Sequence, residues 1–441
     1  MKKFVLLPLM LLCLLCGCTG EEKSPSPEPE EIEAASNVPD PVPAAAPEEV
    51  PEPVPEPDPR QETVDDLLSR MSLEEKVGQM FFVRCPELNA LEKIGQYRLG
   101  GYLLFTRDFK DAAGEWLTAE DFVDKLKGYQ AASSIPLFIG VDEEGGTVAR
   151  ASRNPYLFLE KCKSPQELWA EDKWGAIGGD AIDKNRDLLD LGINVNFAPV
   201  ADVSTDPADF IYDRSFGQDA AATAEYVQEV VESVNLVSVQ DPAFTGPYYK
   251  IGCVLKHFPG YGNNVDTHTG IAIDERPYEQ FVAEDFLPFQ AGIKAGAGSV
   301  LVSHNVVTCM DESLPASLSP EVHRILREEL DFDGVILTDD LAMDAVEAYA
   351  QDGSVAVLAI LAGNDMVVTT DFETQIPLVI DAVHTGLIPE EMIDQAVGRV
   401  LGWKYDLGIL GNGAGQDSPV SNSGRGANSS GELEETGRML W

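Results

Sequence analysis

Eight short apolar runs, each followed by a helical pattern, recur over about 350 residues and predict an α/β fold, a (β/α)8 barrel of the TIM type. The runs are mostly apolar rather than alternating, as expected for parallel strands that are covered on both faces. Polar residues gather directly after several of the runs, at the position where barrel enzymes place their active sites. A doubly wound sheet is the alternative fold, but nothing in the chain resembles its Gly-rich phosphate turn.

Each predicted strand is bounded by Gly, Pro or polar turn residues. Helix signals lie between the strands, such as the Ser72–Glu75 capping box before an apolar run. The eight predicted strands cover residues 80–83, 101–105, 136–141, 193–197, 252–255, 299–302, 334–337 and 366–368.

The first residues of the chain predict an export signal. Two lysines precede an apolar run from Phe4 to Leu15, which is too short for the ~20 residues of a membrane-spanning helix. The run ends in Leu-Cys-Gly-Cys, which resembles a bacterial lipobox with Cys18 as the lipidated residue. We therefore expect an extracytoplasmic protein held at the cell membrane by a lipid on Cys18. An ordinary cleaved signal peptide is the alternative.

Composition divides the rest of the chain. Residues 19–60 hold 12 Pro and 12 Asp or Glu, which favours an extended, solvated stalk. From about Gly411 the chain is rich in Gly, Ser and Asn, without apolar periodicity, and we expect disorder. The predicted organisation is a lipoprotein signal peptide over 1–17, a disordered linker over 18–60, a catalytic barrel over 61–410 and a disordered tail over 411–441.

Charge and cysteine content exclude several classes of protein. With 31 Lys and Arg against 75 Asp and Glu, the net charge is −44, which disfavours nucleic-acid binding. Seven cysteines in 441 residues are too few for a disulfide scaffold. Five histidines without metal-ligand spacing argue against a catalytic metal, and we expect no cofactor and a monomer. We interpret Cys253 and Cys309 as core thiols and His323 and His384 as surface residues; disulfides among the four cysteines of the barrel stay open.

Polar residues end four of the predicted strands. Asp142 ends the third, Lys256 and His257 the fifth, Ser303 and His304 the sixth, and Asp339 and Asp340 the seventh. Any one of them alone would be read as a buried polar group bonded within the core. Together, at equivalent positions, they indicate an active site.

Five motifs in family order resemble glycoside hydrolase family 3, in its β-N-acetylglucosaminidase branch. Residues 256–262 read KHFPGYG and are followed by the Asp-Thr-His of residues 266–268, which is similar to the branch's KHFPGHG and D-S-H. The other four are VDEEGG at 141–146, LGINVNFAPV at 191–200, DRSFG at 213–217 and FDGVILTDDLAM at 332–343.

The resemblance implies a role for each matching residue. Asp339 would be the nucleophile, and His268 the general acid and base with Asp266 as its partner. The residues that would hold the sugar hydroxyls are Asp142, Arg150, Arg214, Lys256 and His257. A histidine can replace the usual second carboxylic acid because imidazole donates and accepts protons near neutral pH. For Arg150 and for Arg214, the alternative is a structural ion pair with an acidic residue. His304 can be either a hydrogen-bonding residue of the core or a residue that lines the pocket.

Two departures from the family pattern fall near these residues. Tyr261 replaces the second histidine of KHFPGHG, and Thr147 stands where an arginine often follows the glycine pair. Both could change the rim of the sugar pocket.

The resemblance implies a retaining exo-glycosidase that removes terminal β-linked N-acetylglucosamine, from cell-wall fragments if the protein is exported. A β-glucosidase or β-xylosidase of the same family is the closest alternative, although such enzymes generally lack the Asp-x-His loop. The alternative from another class is a degenerate barrel that binds the cell wall. Carbohydrate is the expected partner in every case.

Overall fold

The structure is a computed structural model, and it describes residues 58–237, 250–264, 270–343, 346, 349 and 354–410. Ten strands lie in this part of the chain. Their bounds are β1 Phe81–Arg84, β2 Gly101–Leu104, β3 Phe138–Val141, β4 Val195–Asn196, β5 Gly252–Phe258, β6 Ile273–Asp274, β7 Ser299–Val302, β8 Val306–Val307, β9 Val335–Thr338 and β10 Val367–Thr369.

The helices of the described residues alternate with these strands. Helix α5 is interrupted at Asp172 and Lys173, whose backbone angles are not helical. The bounds are α1 Pro59–Arg70, α2 Leu73–Gln79, α3 Ala90–Tyr97, α4 Ala119–Ala131, α5 Pro165–Asp190, α6 Ala220–Leu236, α7 Tyr278–Gln280, α8 Phe286–Lys294, α9 Pro320–Arg324, α10 Val355–Ala362, α11 Phe372–His384 and α12 Glu390–Asp406.

Eight of the strands form one parallel sheet in the order β10-β1-β2-β3-β4-β5-β7-β9. A parallel bridge between Leu337 and Met366 joins the two ends of this order, beside β9 and β10, so the sheet nearly closes on itself. The predicted barrel is therefore confirmed, and each predicted strand overlaps one observed strand. The sequence did not predict the separate pair of β6 and β8.

Aromatic rings fill the inside of the barrel. Phe82 packs edge-on against Phe197, with ring centroids 5.2 Å apart, and stacks on Phe138 at 5.8 Å. Gly140 makes room for these rings, because a Cβ at that position would lie 2.6 Å from the Phe82 ring. Trp403 of α12 packs on Phe138 from below, so the end of the barrel opposite the predicted site is closed.

Two expectations about single residues are wrong. His323 is buried rather than exposed, because its helix α9 packs against α10 and the following Gly363, and its Nδ1 lies 2.8 Å from the Ser319 carbonyl oxygen. Cys309 is exposed on the turn after β8 rather than a core thiol. All four cysteines among the described residues are free thiols. No helix in the described part of the chain is long and apolar enough to cross a membrane.

Candidate active site

A network of buried charges occupies the carboxyl ends of β3 and β5. Glu144 lies just beyond β3, and its carboxylate accepts two hydrogen bonds from Arg214, from Nε at 3.0 Å and from Nη2 at 2.8 Å. Lys256 of β5 places its Nζ 2.6 Å from Glu144 Oε1 and 2.7 Å from Asp142 Oδ1. Two cations and two carboxylates therefore converge at the predicted sugar site.

Burial makes this network strongly polar. Desolvation alone would raise the pKa of the Glu144 carboxyl, but Arg214 and Lys256 outweigh it and hold the pKa far below its ordinary value. For Lys256, burial opposes the charge, while Asp142 and Glu144 raise its pKa above the ordinary value. Glu144, Arg214 and Lys256 therefore stay charged at neutral pH and present fixed charges to a ligand.

His257 is held by a second carboxylate, Asp202, which follows β4. Asp202 Oδ2 lies 2.7 Å from His257 Nδ1, and Asp202 Oδ1 accepts from the Tyr261 backbone N–H at 2.7 Å. Arg214 Nη2 lies 3.1 Å from His257 Nε2. Because arginine can only donate, the bond network assigns Nε2 as the acceptor and places the proton on Nδ1.

Asp339 directly follows β9, the seventh strand of the barrel in chain order. Its backbone N–H donates to the Val302 carbonyl at 3.1 Å, and its Oδ1 accepts from the Asp340 N–H at 2.8 Å. The Asp340 carboxylate has other partners. It accepts hydrogen bonds from the Thr370 backbone N–H and hydroxyl and from the Ala342 backbone N–H. The two described carboxylates therefore bond different segments: that of Asp340 holds the loop around Thr370, and that of Asp339 accepts from the Asp340 backbone.

Not every predicted residue joins this network. Arg150 is half-buried, its guanidinium lies 5.6 Å from the Phe105 ring, and no described contact connects it to Glu144 or Lys256. His304 is a buried core residue, bonded to Ser317 and to the Asp340 carbonyl. Asp266 and His268 lie outside the described residues, between Asn264 and Gly270.

The two departures from the family pattern occupy different places. Tyr261 is buried and its ring packs edge-on against His257, with centroids 5.7 Å apart, so it helps to hold the imidazole in place. The Phe210 ring also packs on Tyr261, tilted, with centroids 5.6 Å apart. Thr147 is exposed, and its carbonyl accepts from Arg153.

Sequence reasoning did not single out Glu144 or Asp202. Glu144 stands inside the quoted VDEEGG motif, and Asp202 comes two residues after the LGINVNFAPV motif. Position after a predicted strand was the available signal for both. Within the described residues no group of three or more His, Cys, Asp and Glu side chains could hold a metal ion.

A parallel barrel with convergent charges and a carboxylate at the strand ends defines an enzyme of the (β/α)8 class. The family model described as the glycosyl hydrolase family 3 N-terminal domain matches residues 72–402. The chain belongs to glycoside hydrolase family 3, and it is a glycoside hydrolase.

Relatives with similar sequences support this assignment. A β-hexosaminidase of Stenotrophomonas maltophilia is 31% identical over 362 residues, which cover 80% of this chain and 97% of the relative. β-Hexosaminidase LpqI of Mycobacterium tuberculosis is 33% identical over 280 residues, 60% of this chain and 67% of the relative.

Solved structures share the fold. A family 3 β-N-acetylglucosaminidase from a Paenibacillus strain aligns with a TM-score of 0.67 at 27% identity, covering 79% of this chain and 65% of that one. The structure of M. tuberculosis LpqI aligns with a TM-score of 0.63 at 28% identity, covering 78% of this chain and 95% of that one.

Proposed function

We propose that this glycoside hydrolase is a retaining exo-β-N-acetylhexosaminidase that removes terminal β-linked N-acetylglucosamine. The observation that carries the proposal is the buried ion-pair network of Asp142, Glu144, Arg214 and Lys256, which lies at the same end of the barrel as Asp339. Relatives that carry the name β-hexosaminidase support the choice of sugar.

The proposed reaction runs in two displacements. Asp339 attacks the anomeric carbon and forms a covalent glycosyl ester, while His268 protonates the departing oxygen. His268 then takes a proton from water, which releases the sugar with its original anomeric configuration. Asp266 would accept from the other ring nitrogen of His268 and fix its orientation, as the carboxylate of a serine hydrolase triad does.

The described residues supply binding and electrostatics in this scheme. Asp142 offers acceptor oxygens to adjacent sugar hydroxyls, and Arg214 and Lys256 offer donors. Arg214 also donates to His257, so the cationic side chains and the imidazole form one rigid unit. Such preorganised polar groups hold the sugar in one position during the reaction, while the negative charge of Asp339 opposes the positive charge that develops at the anomeric carbon.

We further propose that the enzyme acts outside the cytoplasm, tethered by a lipid on Cys18, with cell-wall fragments as its substrates. The Leu-Cys-Gly-Cys sequence after the apolar run supports this location. At the membrane surface, the cell wall is the nearest abundant polymer that contains N-acetylglucosamine.

The deciding experiment compares release of 4-nitrophenol from the N-acetyl-β-glucosaminide and from the β-glucoside. We expect kcat/KM to be at least about tenfold higher for the N-acetyl substrate, which corresponds to ~1.4 kcal/mol of transition-state discrimination. Preference for the glucoside would favour the β-glucosidase alternative. Binding of sugar without turnover of either substrate would favour the degenerate barrel.

A further inference from the structure

Two polar side chains beyond β7 are buried without a partner. Ser303 is 1% exposed and Asn305 is 0% exposed. Within the described residues, neither the Ser303 hydroxyl nor either side-chain amide atom of Asn305 makes a hydrogen bond. A buried polar group that is left unpaired costs about 1–3 kcal/mol of stability. Two such residues beside an active site point to a ligand that completes their bonding.

The strand register shows which way Ser303 faces. Leu255 of β5 points outward to the helix layer, since a Cβ at Gly292 of α8 would lie 2.7 Å from its Cδ1. Leu255 pairs with Val300, so Val300 also faces outward. Because side chains alternate along a strand, Leu301 and Ser303 face the barrel interior.

The same alternation places Asp339 beside Ser303. Val302 pairs with Thr338, so both face outward, and the next residues, Ser303 and Asp339, face inward at the same level. Neighbouring strands lie about 4.8 Å apart. The hydroxyl therefore belongs to the wall of the site next to the proposed nucleophile.

His304 lies between Ser303 and Asn305 in the segment that follows β7. Its Nδ1 lies 2.7 Å from Ser317 Oγ and its Nε2 lies 3.1 Å from the Asp340 carbonyl oxygen. The backbone carbonyls of Ser303 and Asn305 both accept from the 316–318 turn, from Ser317 N–H at 2.9 Å and from Ala316 N–H at 2.8 Å, as alternate residues of an extended chain do. Asn305, one residue further, falls on the same side as Ser303.

We infer that Ser303 and Asn305 form the subsite for the acetamido group of the substrate, an inference that rests on the proposed function. The acetamido group has one N–H donor and one carbonyl acceptor, which match the carboxamide of Asn305 and the hydroxyl of Ser303. It is attached to the carbon next to the anomeric carbon that Asp339 attacks, so it must lie beside that carboxylate. Both side chains are buried, so we place the substituent that enters the site furthest against them.

The test measures substrate preference and stability together. In Ser303→Ala and Asn305→Ala, we expect the ratio of kcat/KM for the 4-nitrophenyl N-acetylglucosaminide over the glucoside to fall about tenfold or more. The melting temperature should stay the same or rise in Ser303→Ala, because no bond within the protein is lost. If turnover of the glucoside is slow, the ratio of the inhibition constants of N-acetylglucosamine and glucose measures the same preference.

Ser299→Ala is the matched control, since Ser299 lies on the same strand and faces the same side but donates to the Val335 carbonyl at 2.9 Å. That variant should lose stability and keep the substrate ratio. If Ser303→Ala keeps the wild-type ratio in both measurements, the inference is overturned, whether or not Asn305→Ala folds. If wild type does not act on the N-acetylglucosaminide, the proposed function fails instead.

Discussion

Lys256 Nζ and Glu144 Oε1 lie 2.6 Å apart in the interior of the barrel mouth, with side chains only 3% and 2% exposed. Glu144 is also the carboxylate that holds Arg214, so one acid bridges two cations, of which Lys256 has Asp142 as a second partner. A buried charge that loses its only strong partner is costly, whereas an exposed pair contributes little. We therefore expect the geometry of the site to depend on Glu144.

Glu144→Gln should destabilise the protein by about 3–5 kcal/mol, because it leaves Arg214 and Lys256 with insufficient negative charge. Urea unfolding measures this loss. Glu87→Gln is the control: its carboxylate pairs with Arg107 but is 70% exposed, and its loss should cost less than about 1 kcal/mol. Equal effects of the two variants would contradict the central place of Glu144.

Asp339→Ala should lower kcat by at least ~10³-fold, equivalent to about 4 kcal/mol of transition-state stabilisation. Asp340→Asn should lower it much less, since the Asp340 side chain bonds the loop around Thr370 rather than the site. The reverse ranking would refute the assignment of the nucleophile. NMR of the first-formed product should show a retained β configuration, and inversion would exclude the double displacement.

The adjacent acids Asp339 and Asp340 show what the sequence could predict and what it could not. Strand positions were predictable because strands buried on both faces appear as continuous apolar runs. The placement of Asp142, Lys256 and Asp339 followed from their positions after those runs. Roles within the pairs Glu143–Glu144 and Asp339–Asp340 depend on contacts from distant segments, which the sequence does not display.

Glu143 and Glu144 illustrate this limit. Glu143 accepts from the backbone of Arg150 and Ala151 and shapes the loop, while Glu144 pairs with Arg214, 70 positions further on. The bond between Asp202 and His257 likewise spans 55 positions and two strands. Local spacing contains no information about such pairs.

Lys404 should make stability depend on pH. Its ammonium is buried at the closed end of the barrel, bonded to Gln79 and to the Pro136 carbonyl, and burial lowers its pKa to about 7. Between pH 7 and about 10 the unfolded chain therefore binds the proton that the folded one has lost. This group should make wild type more stable as pH rises, by up to ~1.4 kcal/mol per pH unit.

Lys404→Met removes that dependence. We expect the free energy of unfolding of wild type to rise relative to that of Lys404→Met from pH 7 to pH 9. Urea unfolding of both proteins at the two pH values measures this change. Lys127→Met, at a side chain that is 68% exposed, should show no such shift. A constant difference for Lys404→Met would mean that the buried amine stays protonated throughout this range.

Cys18→Ser should change where the protein is found. If Cys18 carries a lipid, wild type partitions into the membrane fraction and its mature chain begins at that residue. The variant should be released or keep its signal, as judged by fractionation and N-terminal mass. A wholly soluble wild type would refute the lipid anchor and leave the ordinary signal peptide.

The role of His268 can be separated from that of a binding residue by the leaving group. A retaining enzyme uses its acid and base twice, first to protonate the departing oxygen and then to deprotonate water. A 2,4-dinitrophenyl N-acetylglucosaminide needs little protonation in the first step. His268→Ala should therefore still form the covalent intermediate with it but hydrolyse that intermediate slowly.

The expected signature of His268→Ala is a pre-steady-state burst, a low KM and recovery of turnover with azide. A natural glycoside, whose leaving group must be protonated, should be almost inert with this variant. Asp266→Asn should show a milder form, since the imidazole remains but loses its orienting acceptor. Lys256→Met, which removes a binding side chain, should instead slow good and poor leaving groups alike. Uniform loss across leaving groups in His268→Ala, without recovery by azide, would place the proton donor elsewhere.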